Sequence, residues 1–279
     1  MLAGDERDGR GLVVTDAHPS GVDADLLVGA VDVSVWSRSL VDAEVDCFWN
    51  AGVRHLIAGT QIPEVTRRQL QIAIRGGLSV DLYVYVFWQD SMAEQIGEAV
   101  AIADEFPEVG RIWIDIEEDA DGSTTGSMRP ALRRPLTADE LQARIQQGLD
   151  ACGDFPCGIY TSRGWWQTYF EDRAAFTDVP LWYARWDRHA TLSTWDSADR
   201  FGGWEQPAAK QYAEAYLCGV SVDANVIDTR AVVVPATVLL DRSTPPDDGT
   251  PPAPPVALLP CDGERVLTEY VRPTAPLVR

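Results

Sequence analysis

The sequence predicts an α/β fold, an irregular (β/α) barrel of about eight mostly parallel strands with few or short helices in its C-terminal half. Three observations predict it. Strand-like and helix-like segments alternate over roughly 200 residues, the pattern of a parallel sheet. Several of the strands are apolar on both faces, as strands covered on both sides must be. The length of 279 residues suits one large unit of this kind. An open doubly wound sheet is the second choice, and a nucleotide site has no support, because no Gly-x-Gly-x-x-Gly or P-loop follows any strand.

Residues 1–26 are polar, acidic and aperiodic, and read as a flexible lead-in. The barrel domain is expected over 27–241. Its first strand runs to Trp36, with Val31, Val33 and Val35 on one face and Asp32, Ser34 and Trp36 on the other. A short helix follows from Val41 to Ala51, stopped by Gly52, and then a compact strand from Arg54 to Gly59. Thr66 to Ile74 is amphipathic and ends at Gly76-Gly77. Asp81 to Trp88 is β-branched and aromatic, as strands are, and Ser91 to Phe106 is a helix ended by Pro107. The strand from Arg111 alternates strictly, Ile112, Ile114 and Ile116 against Trp113, Asp115 and Glu117. A long polar segment from Glu118 to Leu136 leads to a capping box, Thr137 to Glu140, that opens a helix to about Ala151. Strands from Cys157 to Ser162, Pro180 to Trp186, Lys210 to Ala213 and Val220 to Val226 complete the series, with one short helix from Trp165 to Glu171. Residues 242–279 form a Pro-rich linker and tail, which either docks another protein or is a plain tail.

A net charge of −20 argues against nucleic acid and anionic membrane surfaces as partners. No apolar run reaches membrane-span length, and the first residues show no signal-peptide pattern. Synthesis in the cytoplasm with release by another route is the expectation. Five scattered cysteines without a Cys-x-x-Cys pair predict reduced thiols. Only Cys152 and Cys157 are near enough in sequence to suggest a local bridge, and Cys218 reads as a packing residue.

Four acids recur near the expected carboxyl ends of strands, Asp32, Asp115, Glu117 and Asp223. In a barrel that end carries the active site. Interleaved with aromatic residues, converging carboxylates suit a carbohydrate cleft, since glycoside hydrolysis is performed by carboxyl groups. Three His without ligand spacing speak against a His-based metal site, and no cofactor is expected. An all-carboxylate metal hydrolase is a minor alternative.

The ordered segments Val31-Asp32-Val33-Ser34-Val35-Trp36, Tyr85-Val86-Phe87, Ile114-Asp115-Ile116-Glu117, Gly158 to Ser162, Pro180 to Ala184 and Gln211-Tyr212 through Val222 to Asn225 together resemble the glycoside hydrolase family 25 lysozymes. The resemblance implies cleavage of the β-1,4 bond between N-acetylmuramic acid and N-acetylglucosamine in peptidoglycan. It makes Glu117 the general acid and Asp115 its neighbour at the reacting sugar. Asp32 and Asp223 become supporting acids that raise the proton affinity of Glu117 by like charge. Tyr85, Tyr160, Trp182 and Gln211 become the sugar contacts. The substrate's own N-acetyl group is the implied nucleophile. The enzyme would act on the wall after release or as part of a virion or secreted particle.

Two departures from the family pattern stand out. Val86 replaces a usual His, and Lys210 a usual Trp. The alternative reading is a non-catalytic glycan-binding or structural barrel of a phage-like particle.

Overall fold

The computed structural model describes residues 27–37, 39–121, 132–196 and 199–232. Eight strands close into one barrel in chain order. They are β1 (Leu27–Val33), β2 (Val53–Gly59), β3 (Ser79–Tyr85), β4 (Val109–Ile116), β5 (Cys157–Ser162), β6 (Leu181–Ala184), β7 (Ala209–Leu217) and β8 (Val220–Asp228). The helices are α1 (Asp42–Asn50), α2 (Pro63–Arg75), α3 (Met92–Glu105), α4 (Ala138–Ala151) and α5 (Arg163–Phe170). The lead-in, the Pro-rich linker and the tail expected from the sequence lie outside the described residues, as does the 241/242 boundary.

The expected elements form with small shifts at their ends. α2 starts three residues before Thr66 because Pro63 can occupy the first helical turn without losing a needed hydrogen bond. The Thr137 hydroxyl and Glu140 carboxylate close the expected capping box at the start of α4. β1 stops at Val33, and Val35–Ser37 turn as a 3₁₀ segment that sends Trp36 out to solvent. The base of the long segment after β4 is closed by Leu136 N–H donating to the Ala120 carbonyl at 2.9 Å.

Two expectations are corrected. β8 does not continue the parallel series: β7 runs parallel to β6 but joins β8 in a hairpin through Cys218-Gly219, so β8 runs antiparallel to both β7 and β1. Cys218 (φ 56°) and Gly219 (φ 81°) supply the left-handed backbone that a two-residue hairpin turn needs. Asp223 therefore sits in the first half of its strand, not the last, and still reaches the same end of the barrel. Four of the five cysteines are also not reduced thiols, and Cys261 lies outside the described residues. Cys47 in α1 is bonded to Cys218, and Cys152 to Cys157. The first pairing crosses 171 residues, so only barrel closure brings its members together.

Inward positions follow the period of two. Ala30, Ile57, Tyr83, Trp113, Tyr160, Trp182, Ala209 and Ile227 pack as one cluster inside the barrel. Trp113 is fully buried, contacts Trp182 edge-on at 5.8 Å and donates its indole N–H to Asp81 at 2.9 Å. It is the packing layer beneath the site. The outward faces of the strands pack with the helices in a second, larger apolar cluster. Space around Trp113 is tight. A Cβ at Gly158 would meet its ring at 2.5 Å and the Pro180 carbonyl oxygen at 3.0 Å. Gly158→Ala is expected to destabilise the protein by about 1–3 kcal/mol through overpacking. An unchanged urea midpoint would show that the layer is not close-packed.

Candidate active site

The strand ends converge on one cleft of about 480 Å³. Its lining includes Asp32, Asp115, Glu117 and Asp223, and also Tyr85, Tyr160, Trp182 and Gln211. Strand register explains the convergence. Asp32 faces Asp223 across β1 and β8, Asp115 lies between Tyr85 on β3 and Tyr160 on β5, and Gln211 faces Asn225 across β7 and β8. Glu117 is the first residue past β4, two positions above Asp115 and on its side of the strand. No helix among the described residues is long and apolar enough to cross a membrane.

A hydrogen-bond network organises the floor. Asn225 donates to Asp32 at 2.7 Å and to the Asp223 carbonyl at 3.0 Å. Gln211 donates from one nitrogen to Asp32 (3.0 Å) and Asp223 (3.3 Å). Gln211 accepts from the Tyr160 hydroxyl at 2.8 Å, and Asn225 accepts from the Trp182 indole at 2.9 Å. Trp182 and Tyr160 are buried, with ring centroids 4.4 Å apart. Their polar atoms are spent on the two amides, so they offer the cleft a floor more than free hydrogen-bonding groups. Tyr85 is likewise engaged, donating to Glu118 at 2.5 Å.

Sequence reasoning passed over Asn225, Glu118, Tyr83 and Trp186. Three of these were visible by the period of two, Asn225 beside Asp223, Tyr83 beside Tyr85 and Trp186 beside Ala184 and Trp182. Glu118 gave no such signal. It follows the strand end, where the chain turns it inward, and its carbonyl is fixed by the indole N–H groups of Trp88 (2.8 Å) and Trp165 (2.9 Å).

The acids share one cleft that shields them in part from water, and their proton affinities rise. Burial is the first cause for all four. Asp32 is pushed up to about 6, with its bonds from Asn225 and Gln211 opposing the rise and Glu117 adding to it. Asp115 is held well above the usual carboxylate range by burial and then by Glu117 and Asp32. Its Oδ1 is buried without a hydrogen-bond partner. Asp223 rises to about 8 through burial, Asp32 and Glu214.

Glu117 rises to about 7 through burial, Asp223 and Glu118. By surface area Glu117 is the exposed member of the set, reaching water at the cleft mouth while protein surrounds it on its other sides. Solvent there tempers the rise without reversing it. The like charge acting on Glu117 thus comes from Asp223 and Glu118, whereas Asp32 acts on Asp115. Such groups titrate as a cluster.

These shifts predict how stability depends on pH. A carboxyl whose folded pKa lies above its unfolded value binds more protons when folded, so stability falls as pH rises between the two values. The window opens near pH 4, where unfolded Asp and Glu titrate, and closes between about 6 and 8 as Asp32, Glu117 and Asp223 ionise. Glu140 is held down to about 2 by Arg134, and Asp228 is lowered by Arg230, so these work the other way below about pH 4. Stability is expected to peak near about pH 4 and to fall by a few kcal/mol towards pH 8. Urea midpoints that rise from pH 5 to pH 8 would contradict it.

The family model described as lysozyme-like protein 1 matches residues 30–212. The chain belongs to that lysozyme-like family. Two relatives from Dictyostelium discoideum are similar to it in sequence. A probable GH family 25 lysozyme 3 is 32% identical over 56% of this chain and 31% of its own length. A probable GH family 25 lysozyme 4 is 29% identical over 70% of this chain and 88% of its own. The chain thus spans under a third of the first relative and most of the second. A solved lysozyme from Streptomyces coelicolor shares the fold of this lysozyme-like chain, with a TM-score of 0.54 at 19% identity, over 71% of this chain and 90% of that one. The family 25 resemblance read from the motifs therefore holds, and so does the irregular, mostly parallel barrel.

Proposed function

We propose that this protein is a peptidoglycan glycosidase of the lysozyme type, hydrolysing the β-1,4 bond between N-acetylmuramic acid and N-acetylglucosamine with Glu117 as general acid. The observation that carries the reading is the cluster of four carboxyls lining one cleft at the active end of a barrel of this family. Glu117 has the proton affinity for the role, since an acid near pH 7 is still protonated in mild acid and strong enough to give its proton away.

In the first step Glu117 donates its proton to the bridging oxygen as the bond from that oxygen to the sugar C1 breaks. The substrate's acetamido carbonyl oxygen closes onto C1 from the other face and neutralises the developing charge. Asp115, with an oxygen that lacks a partner, accepts from the acetamido N–H and holds that group in line. Water then adds to C1 as the bond from C1 to the acetamido oxygen breaks, which restores the N-acetyl group, and the water's proton passes to the Glu117 carboxylate, which restores the acid. Asp32 and Asp223, tied together through Gln211 and Asn225, hold the floor of the cleft in place.

The disulfides fit a site of action outside a reducing cytosol. Incubation with purified peptidoglycan is expected to release reducing sugar ends. No release from walls of several chemotypes would sink the proposal.

A further inference from the structure

Among the described residues four large hydrophobic side chains are exposed, Trp36, Val41, Trp186 and Tyr216. Two of them, Trp36 and Trp186, line the cleft. Trp186 is 56% exposed and lies two residues beyond the end of β6, yet its backbone is firmly held. The Arg185 N–H donates to the Gln211 carbonyl at 2.9 Å and the Arg188 N–H to the Tyr212 carbonyl at 3.0 Å, so 185–188 run on beside β7 past the strand end. The Trp186 indole N–H donates to the Gln211 side-chain oxygen at 2.8 Å. That bond takes the ring by its edge and leaves an apolar face for a ligand.

Behind the segment lies Lys210, the only lysine in the chain and fully buried. Its ammonium donates to both Asp187 oxygens (2.7 and 2.8 Å), to the His189 carbonyl (3.0 Å) and to the Thr194 hydroxyl (3.0 Å). Arg185 joins from the side, 3.0 Å from Asp187. Lys210 and Gln211 are neighbours on β7 and point to opposite faces. One strand therefore grips the segment twice, through Asp187 from outside the barrel and through Trp186 from the cleft. A buried ion pair gains little stability over apolar packing, because desolvation offsets the attraction. What this one does is fix the backbone on both sides of Trp186.

We propose that Trp186 is a sugar-stacking platform at the cleft, and that Lys210, acting through Asp187, is the positioning residue that holds its indole there. The ligand class is a pyranose ring of a β-1,4-linked amino-sugar chain, whose C–H face matches the indole face. The inference rests on the glycan reading of the cleft given above.

The test measures calorimetric binding of a soluble tetrasaccharide of alternating N-acetylglucosamine and N-acetylmuramic acid to the full chain carrying Glu117→Gln, and turnover of the same sugar by the chain with Glu117. Trp186→Ala is expected to weaken binding about tenfold or more and to raise KM in proportion, with kcat within about threefold. Trp186→Phe keeps part of the platform and recovers part of the loss. Lys210→Met is expected to weaken binding about three- to tenfold alone and to add nothing in the Trp186→Ala background, the signature of one shared unit. Should Lys210→Met fail to fold, Asp187→Asn removes the same charge pair and carries the same expectation.

Binding by Trp186→Ala within twofold of its parent overturns the platform, as does a parent that binds no tetrasaccharide. A Lys210 or Asp187 loss that adds in full to that of Trp186→Ala overturns the positioning role. If wild type releases no reducing ends while binding still depends on Trp186, the hydrolase reading falls and the platform stands. If hydrolysis proceeds with KM unchanged in Trp186→Ala, the platform falls and the reaction stands.

Discussion

Glu117→Gln is expected to lose about 10²–10⁴-fold in turnover of peptidoglycan while staying folded. Glutamine keeps the shape and removes the proton that the proposed mechanism gives to the leaving oxygen. The variant should be at least as stable as wild type at pH 7. It deletes a group that burial, Asp223 and Glu118 make reluctant to ionise, so nothing favourable is lost with it. Wild type should lose activity as pH rises through about 7, where the acid surrenders its proton. A variant that keeps wild-type turnover would remove Glu117 from the role proposed for it, and one that unfolds would contradict the stability expectation. Thermal melts run beside the turnover assay separate the two outcomes.

Removing the Cys47–Cys218 bond is expected to cost about 2–5 kcal/mol of stability, the largest effect anticipated away from the cleft. The bond spans 171 residues and ties the first helix to the last hairpin, so cutting it frees nearly the whole barrel chain in the unfolded state. It also anchors the turn from which β8 descends. Asp223 sits five residues beyond Cys218, on that same strand, and faces Asp32. A Cys47→Ser/Cys218→Ser chain should therefore lose activity at temperatures where wild type is still folded. The Cys152–Cys157 bond closes a loop of only five residues and should matter less. Equal urea midpoints for the double variant and wild type would refute the expectation.

Much of the fold was legible because the code that specifies it is local. Alternation placed Asp32, Asp115 and Glu117 on the inner faces of their strands, and caps and glycines marked the helix ends. What escaped was non-local or depended on direction. Leu217-Cys218-Gly219-Val220 holds a hairpin turn, yet a series of parallel strands was the simpler extrapolation, so Asp223 was assigned to the wrong half of its strand. Cys47 and Cys218 carry no mark of each other. Lys210 read as a departure from a family motif, and its burial against Asp187 became visible only with the segment between β6 and β7 in place. The network through Gln211 and Asn225 is the intermediate case. Its residues lay on the expected faces, but which amide meets which acid depends on the antiparallel register of β7, β8 and β1.

The identity of the new sugar ends tests the muramidase assignment most directly. Wild-type protein incubated with purified peptidoglycan at about pH 6, below the titration of its general acid, should yield fragments that end in reducing N-acetylmuramic acid by mass spectrometry after borohydride labelling. The same digestion with Glu117→Gln should yield none. Fragments ending in reducing N-acetylglucosamine, or equal yields from the two proteins, would contradict the assignment of this cleft as a muramidase site worked by Glu117.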